Sequence, residues 1–280
     1  MKTDKFLLLA VGALLIIILI LMAMGGAAFL CLALSHNSII VDNTKAVSRD
    51  QIYNGSVAGF DQVDLTVHNI NGNVQVNEGS GDSYAIEVHE KGTELSFQRY
   101  YVEFSESGTS GTKSIDLNVR DNLTGQPGSN TRYTADIIVT VPKNKTYDVD
   151  LAVVNGNIDA GALSGDKATM ANVNGGINSQ FNADSATFTN VNGEISATTS
   201  KNTGRITANN VNGNIEISVP SGAGFSINAH LVNGDIRTQM TLDTTEKSRF
   251  NVVGSTPGYN GGGLSLELAT VNGGITVKNT

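Results

Sequence analysis

The stretch ATFTNVNGEISA, from Ala186 to Ala197, decides the fold because its central word returns along the chain as ANVNGGIN, NNVNGNIE and LVNGDIR. The asparagine of each Asn-Gly pair stands at 71, 155, 174, 192, 212, 233 and 272, so successive gaps are 84, 19, 18, 20, 21 and 39 residues. The long gaps are close to multiples of about 20, and FNVVGS supplies a weaker copy at Val253-Gly254. Such a period indicates a repeat architecture whose units pack against their neighbours.

Residues around each Asn-Gly alternate as in a strand with one buried face. With the Asn at position zero, −6 and −4 are apolar and −5 and −3 are mostly polar. Positions −1 and +3 are Val or Ile on the opposite parity, which requires an extra residue, and therefore a corner, near the Asn-Gly. Gly, and to a lesser degree Asn, tolerates the positive φ of such a corner. The predicted corners are Asn71-Gly72, Asn155-Gly156, Asn174-Gly175, Asn192-Gly193, Asn212-Gly213, Asn233-Gly234 and Asn272-Gly273.

The first asparagine of NVNG falls at position −2, on the buried parity. It is present as Asn69, Asn172, Asn190 and Asn210, and other copies carry Val, Leu or Thr there. A buried amide costs several kcal/mol unless it is hydrogen-bonded. Amides stacked about 4.8 Å apart can bond to one another. We therefore predict an internal ladder of Asn172, Asn190 and Asn210; the alternative is that both asparagines are only turn residues.

The fold class follows from the equivalence of the copies. Asn-Gly is also the strongest hairpin signal, which would give an antiparallel meander. The copies share polarity, length and residue type at four or more offsets, and parallel stacking explains this equivalence. We predict an all-β fold, a β-solenoid resembling a parallel β-helix, with about ten V-N-G-x-I coils and a core about 50 Å long. Many glycines (31), few prolines (4) and no Trp suit strands and turns.

The N-terminus carries an uncharged apolar run from Phe6 to Ser35. A membrane-spanning helix needs about 20 residues, whereas the core of a signal peptide has about 7–15. Lys2 and Lys5 favour a cytoplasmic N-terminus. Residues 1–35 are therefore predicted to be a single-pass anchor in the cell membrane with the C-terminal domain extracellular; a cleaved signal is the alternative. Cys31, the single cysteine, lies in this run, so the domain beyond it has no disulfide.

The rest of the chain divides into three predicted regions. Residues 36–58 are predicted to be a polar stalk, residues 59–148 a less regular β region that caps the solenoid, and residues 149–280 the regular repeats. Within the capping region, residues 121–132 contain turn residues throughout and read as a surface loop. The aromatic residues of that region indicate a broader core at this end; they are Tyr84, Phe97, Tyr101 and Phe104.

The stretch VTVPKNKTYDVDLAVVNGNIDAGALSG, followed by serial V-N-G-x-I words, resembles the putative-adhesin family of β-strand-repeat domains, a family without an assigned function. The resemblance covers about residues 60–280. It implies a solenoid-like β fold on prokaryotic surface or membrane-attached proteins, and it brings no catalytic residues to carry over.

The sequence offers few candidates for catalysis or metal binding. The net charge of −8, without a basic stripe, argues against a nucleic-acid partner. The histidines at 36, 68, 89 and 230 are never spaced as metal ligands, and neither a phosphate loop nor a G-x-S-x-G elbow occurs. Glu194 and Asp235 share the outward +2 position two copies apart, about 10 Å, which is too wide for a retaining glycosidase pair. We predict no enzymatic activity, no metal and no cofactor.

We therefore predict a non-catalytic, membrane-anchored surface protein whose outward Thr, Asn and Ser side chains bind an envelope glycan or another surface protein. The alternatives are an envelope-stress sensing or regulatory membrane protein and, third, a polysaccharide-active β-helix enzyme. Exported sequons at Asn54, Asn122 and Asn144 are candidate glycosylation sites. Because no polar cap follows the last Asn-Gly, we also expect self-association through an open edge at residues 264–280.

Overall fold

The computed structural model describes residues 45–122 and 132–280, which are mostly β-strand. The predicted anchor at residues 1–35, Cys31, His36, the first part of the stalk and residues 123–131 of the predicted loop lie outside the described residues. Within the described ranges, no helix has the length and apolar character needed to cross a membrane.

The described residues form short and long strands in regular succession, together with one short helix before β5. In chain order they are β1 Ala46–Ser56, β2 Gln62–Asn71, β3 Val74–Gly79, β4 Ser83–Thr93, α1 Glu94–Arg99, β5 Tyr100–Thr109, β6 Thr112–Asp121, β7 Tyr133–Pro142, β8 Thr146–Asn155, β9 Ile158–Ala160, β10 Ser164–Asn174, β11 Ile177–Ser179, β12 Asn182–Asn192, β13 Ile195–Thr198, β14 Gly204–Asn212, β15 Ile215–Val219, β16 Phe225–Asn233, β17 Ile236–Thr238, β18 Asp243–Lys247, β19 Asn251–Ser255, β20 Leu264–Asn272 and β21 Ile275–Asn279.

Two sheets, of ten and eleven strands, face each other across the core. Seven of the eight coils give one longer strand to the eleven-stranded sheet, turn at an Asn-Gly corner, and give one shorter strand to the ten-stranded sheet. In the coil β6–β7 both strands have ten residues, and residues 123–131 between them lie outside the described residues. Neighbouring coils are parallel and in register, with Asn190 opposite both Asn172 and Asn210. This confirms the prediction of an all-β fold built from stacked parallel repeats. In spatial order the eight coils are β6–β7, β2–β3, β8–β9, β10–β11, β12–β13, β14–β15, β20–β21 and β16–β17.

Antiparallel strands close both ends of the stack, and they account for three departures from the predicted layout. At one end β4 and β1 extend the ten-stranded sheet and β5 extends the other; residues 46–56 of the predicted stalk are thus an edge strand. At the other end β19 pairs antiparallel with β16, and β18 with β19. The FNVVGS copy is therefore a hairpin strand, and the stack has eight coils instead of about ten.

The C-terminal coil lies inside the stack. Strand β20 pairs with both β14 and β16, and β21 pairs with both β15 and β17. The open edge predicted at residues 264–280 does not exist, because the chain passes this position, forms the β16–β17 coil and then returns. The return also separates Glu194 from Asp235 by three coils, about 14 Å, instead of two.

The core is one continuous apolar cluster between the sheets, filled by Val, Ile and Leu with fully buried Tyr147, Phe188 and Phe225. At the end formed by β1 and β5 it becomes aromatic, as predicted. Phe104 stacks on Tyr53 with ring centroids 4.4 Å apart, and Phe97 packs edge-on against Tyr133. Tyr101 is 47% exposed and lies on the opposite face of β5, so it is not part of this core.

Each corner depends on its glycine. All seven corner glycines have positive φ, for example 137° at Gly193 and 141° at Gly213. A Cβ on Gly213 would overlap the carbonyl oxygen of Gly193 in the neighbouring coil, and the overlap recurs along the stack. Because this neighbour is backbone, the clash has no flexible side chain to relieve it. The corner therefore needs glycine both for its φ and for the close approach of coils.

The inner asparagines are buried as predicted, at 0–3% exposure, but they do not bond to one another. Asn190 Nδ2 donates to the carbonyl oxygen of Gly175 at 2.9 Å, and Asn210 Nδ2 donates to Gly193 O at 2.7 Å. Asn172 does the same with Gly156. Each of these inner amides thus donates a hydrogen bond to the corner carbonyl oxygen of the preceding coil. That oxygen receives no backbone N–H because the chain turns there. The predicted internal ladder is wrong.

The side-chain ladder is formed instead by the second asparagine, on the outside of the corner. Asn174 Nδ2 donates to Asn155 Oδ1 at 2.8 Å, and Asn192 Nδ2 donates to Asn174 Oδ1 at 2.9 Å. The series is continuous in spatial order through Asn71, Asn155, Asn174, Asn192, Asn212, Asn272 and Asn233. The second asparagine therefore both starts the corner and ties neighbouring coils together.

Candidate binding surface

The outer side of the eleven-stranded sheet is the broadest regular surface of the molecule. Its eight parallel strands, spaced about 4.8 Å apart, extend over about 34 Å. In-register pairing brings outward side chains of equivalent position into straight rows. We call this surface the broad face and define it by two rows. The middle row is Asp116, Thr66, Asp150, Thr169, Thr187, Thr207, Glu267 and Asn228; the outer row is Ser114, Asp64, Asp148, Lys167, Ser185, Arg205, Ser265 and Ser226.

The broad face is acidic at the end formed by β6, β2 and β8. Asp64 lies directly opposite Asp148 in the parallel register, and Asp116 and Asp150 flank Thr66. Burial raises the pKa of Asp64 above its ordinary value, and the carboxylates of Asp148 and Asp116 raise it further. This end therefore repels anions, including anionic polymers.

The middle row is uncharged at its centre. Thr169, Thr187 and Thr207 stand side by side there and are half-buried. The outer row of the same strands carries Lys167, Ser185 and Arg205, and Arg205 is paired with Glu267 at 3.1 Å. Hydroxyl groups at a constant spacing on a rigid sheet can donate and accept hydrogen bonds without rearrangement.

A short apolar cluster borders the broad face beside the corners. Val154 and Val173 are 1% and 8% exposed, and the partly buried Val191 and Val211 pack against them. These are the position −1 residues, and their cluster is separate from the main core. Thr189, which strand parity places outward, is only 3% exposed, so it is not the solvent-exposed residue that its position predicts.

The most strongly bonded charged group, Glu90, was not among the residues singled out from the sequence. Its side chain is fully buried on β4 and accepts hydrogen bonds from Arg49 (2.6 and 2.7 Å), Gln51 (2.6 Å) and Tyr133 (2.7 Å). Burial alone would raise the pKa of Glu90, but these bonds outweigh it and hold the pKa below its ordinary value. Arg49 in turn lies over the ring of Phe97. Every contact joins the end strands to the core, so the cluster around Glu90 closes this end of the stack.

The other residues named from the sequence are dispersed. The sequon residues Asn54, Asn122 and Asn144 are all exposed, in β1, after β6 and between β7 and β8. His89 bonds Asp50 at 2.8 Å on the end strands, whereas His68 lies on β2 and His230 on β16. Among residues 45–122 and 132–280, no three metal-ligating side chains come together. Asp235 accepts a hydrogen bond from Arg249 at 2.9 Å, and Glu194, three coils away, is not its neighbour.

A search of solved structures matched bacterial proteins. One, described as a "putative cell adhesion protein" from Clostridium sporogenes, matches with a TM-score of 0.52 and 11% identity, covering 84% of this chain and 100% of the other. A "putative adhesin" from Bacteroides fragilis gives a TM-score of 0.29 at 13% identity, covering 84% and 97%. At these identities the first likeness concerns the fold alone. A search of curated proteins found no match.

A family profile described as Toastrack DUF4097 matches residues 163–278. The matched range begins at Leu163 and contains five of the seven Asn-Gly corners, including the last at Asn272-Gly273. It covers the coils from β10–β11 onward. Over residues 163–278 the chain is therefore similar to the Toastrack DUF4097 family, in agreement with the resemblance carried by its V-N-G-x-I words.

Proposed function

We propose that this chain is a non-catalytic binding protein of the cell surface and that its broad face binds an envelope glycan. The observation that carries the proposal is the uncharged centre of the middle row, where Thr169, Thr187 and Thr207 are held in register by parallel strands. A glycan, which is itself a repeat of hydroxyl groups, can make many weak hydrogen bonds to such a row.

The dimensions of the broad face support this use. The eight strands that carry it extend over about 34 Å, and six residues of each strand span about 20 Å, so this side of the sheet measures about 700 Å², close to the about 800 Å² that each partner contributes to a standard interface. The rigidity of the sheet reduces the entropy lost on binding. The uncharged run at residues 6–35 would hold this face outside the membrane, as expected of a surface protein.

The test is a binding screen of the full chain, in detergent, against purified glycans and fractionated envelope polymers. Thr187→Arg places a bulky cation in the centre of the broad face and is expected to weaken binding about tenfold or more, the effect of losing about 1.4 kcal/mol. The matched control is Ser196→Arg, in the same coil but on the outer side of the ten-stranded sheet. It should change affinity less than about twofold, a minor effect.

Three results would overturn the proposal. The first is that the chain binds no glycan. The second is that Thr187→Arg and Ser196→Arg lose the same amount of glycan affinity. The third is that the chain binds a membrane protein and no glycan. The third result would favour the sensing alternative. Circular dichroism of both variants establishes that the fold is retained.

A further inference from the structure

We propose that the folded protein is chemically modified at Asn233, by deamidation, while its six other Asn-Gly corners are protected. Six of the seven corners have the identical local sequence Val-Asn-Gly. Local sequence therefore cannot distinguish them, and any difference in reactivity must come from the fold. The distinguishing feature is the hydrogen bonding of the glycine N–H.

Deamidation at Asn-Gly begins at the glycine nitrogen. This nitrogen loses its proton and attacks the side-chain carbon Cγ of the preceding asparagine. The new N–Cγ bond closes a five-membered succinimide, and the Cγ–Nδ2 bond breaks with release of ammonia. Water then opens the ring to aspartate or isoaspartate, so no reactant other than water is needed. A glycine N–H held in a hydrogen bond must first be freed.

Six corner glycines have their N–H bonded to the next coil. Gly193 N donates to Asn212 O at 2.9 Å, and Gly213 N donates to Asn272 O at 2.8 Å. The same bond recurs from Gly72, Gly156, Gly175 and Gly273. In each case the acceptor is the main-chain carbonyl of the next corner asparagine, so breaking the bond requires two coils to separate.

Gly234 is the exception, because its coil is the last one in the parallel stack. Beyond β16 comes the antiparallel strand β19, which pairs with residues 226–230 and does not reach the corner. In the part of the chain that the structure describes, Gly234 N has no hydrogen-bond acceptor. Arg249 lies on this same open side, donating to Gly234 O at 3.2 Å and to Asp235 at 2.9 Å, but its guanidinium offers no acceptor to the Gly234 N–H.

Solvent exposure does not explain the difference. The side chains of Asn155, Asn174, Asn192, Asn212, Asn233 and Asn272 are all exposed. Asn233 Nδ2 is tied into the outer ladder through Asn272 Oδ1 at 2.9 Å, as the others are tied to their neighbours. The pairing of the glycine N–H is therefore the variable that separates Asn233 from the five other exposed corners.

The experiment is to incubate the full chain, folded, in mildly alkaline buffer and to follow all seven corners by peptide mapping with isoaspartate detection. We expect Asn233 to be converted at least about tenfold faster than any other corner, which corresponds to about 1.4 kcal/mol of local opening. The same chain in denaturant provides the control, in which the Val-Asn-Gly corners should react at similar rates. Asn233→Gln should remove the fast site and leave the other six rates unchanged.

Conversion of Asn192 or Asn212 as fast as Asn233 in the folded chain would overturn the proposal, since their glycine N–H groups are paired. It would equally be overturned if Asn233 stayed intact in the folded chain while all corners reacted in denaturant. A fast reaction at Asn233 in both states, with the six others slow in both, would place the cause in the sequence and also contradict the proposal.

Discussion

At the scale of single residues, the two asparagines of each Asn-Val-Asn-Gly word have different partners. The inner one donates to a corner carbonyl of the neighbouring coil, as Asn190 does to Gly175, and the outer one joins the exposed ladder, as Asn192 does with Asn174. Alternation along the strand predicted which asparagine is buried. It could not predict the partner, because the direction of the corner carbonyl depends on the positive φ of the following glycine.

The first prediction tests the inner asparagine. Asn190→Asp places a carboxylate against the carbonyl oxygen of Gly175 and removes the donor, so we expect a loss of about 3 kcal/mol or more in unfolding free energy. Asn190→Thr should cost less than about 1.5 kcal/mol, because Thr270 makes the equivalent bond to Gly213 at 3.2 Å. Thr187→Asp is the outward-facing control and should cost about 1 kcal/mol or less, the span of β-propensity. Chemical denaturation measures all three, and equal losses would refute the inner bond.

The second prediction concerns the buried carboxylate of Glu90. Glu90→Gln leaves Arg49 without a charged partner, and since Arg49 is 43% exposed the expected cost is only about 1–3 kcal/mol at neutral pH. The pKa of Glu90 is lowered by folding. Its contribution is therefore present above the ordinary Glu pKa of about 4.3 and is lost as pH falls through the folded pKa. The stability difference between wild type and variant should shrink below about pH 4.

Glu103→Gln is the matched control for this prediction. Glu103 forms an exposed ion pair with Arg120 at 3.0 Å, which should contribute less than about 0.5 kcal/mol. Urea denaturation across the acidic range compares the two variants. A constant stability difference for Glu90→Gln at every pH would show that shape, and not charge, makes the Glu90 contribution.

At the scale of strands and corners, the repeat is held by a column of glycines that approach one another closely. The sequence predicted every one of these corners, because Gly and the residues at −1 and +3 recur at constant offsets. It did not predict that β19 is antiparallel: FNVVGS resembles a copy in composition, but it lacks the Asn-Gly pair that starts a corner.

The third prediction separates two reasons for glycine at a corner. Gly193→Ala must adopt a φ of 137° and also overlaps the carbonyl of Gly175, so we expect a loss of more than about 3 kcal/mol. Gly222→Ala must adopt a φ of 80° but has nothing within 4 Å of the added Cβ. It should cost only about 1–2 kcal/mol. Thermal or chemical unfolding gives both values, and similar losses would mean that close approach of coils adds nothing.

At the scale of the whole molecule, the order of coils in space differs from their order in the chain. The coil β20–β21 lies between β14–β15 and β16–β17, and β2–β3 lies between β6–β7 and β8–β9. Equivalent repeats predict that coils stack but do not specify which neighbour each one takes, because every coil presents the same Val, Asn and Ile to both sides. The intervening hairpin β18–β19 occupies the end of the stack, so the last coil inserts beside β14 instead.

For the broad face, too, part of the arrangement could be predicted from the sequence and part could not. Outward polar residues at −7 and −5 could be predicted from alternation, and their union into rows followed from parallel stacking. The separation of its acidic end from its threonine centre could not, since Asp116 joins the face only because β6 pairs with β2 after a long excursion of the chain.

The last prediction tests the order of coils directly. Ile275 N donates to Asp235 O at 3.0 Å in the next coil, whereas the equivalent N–H of Ile236 faces the open edge and has no acceptor within the described ranges. Proline at position 275 should therefore cost about 3 kcal/mol more than alanine at the same position, since it removes a ladder bond inside a sheet. At position 236 the difference between proline and alanine should be below about 1 kcal/mol, as on an edge strand.

Comparing each proline variant with the alanine variant at the same position removes the effect of the unequal side-chain burial of the two isoleucines. If the C-terminal coil were the open end of the stack, the larger loss of stability from proline would appear at Ile236. Unfolding measurements on the four variants therefore distinguish the two possible orders of the last coils.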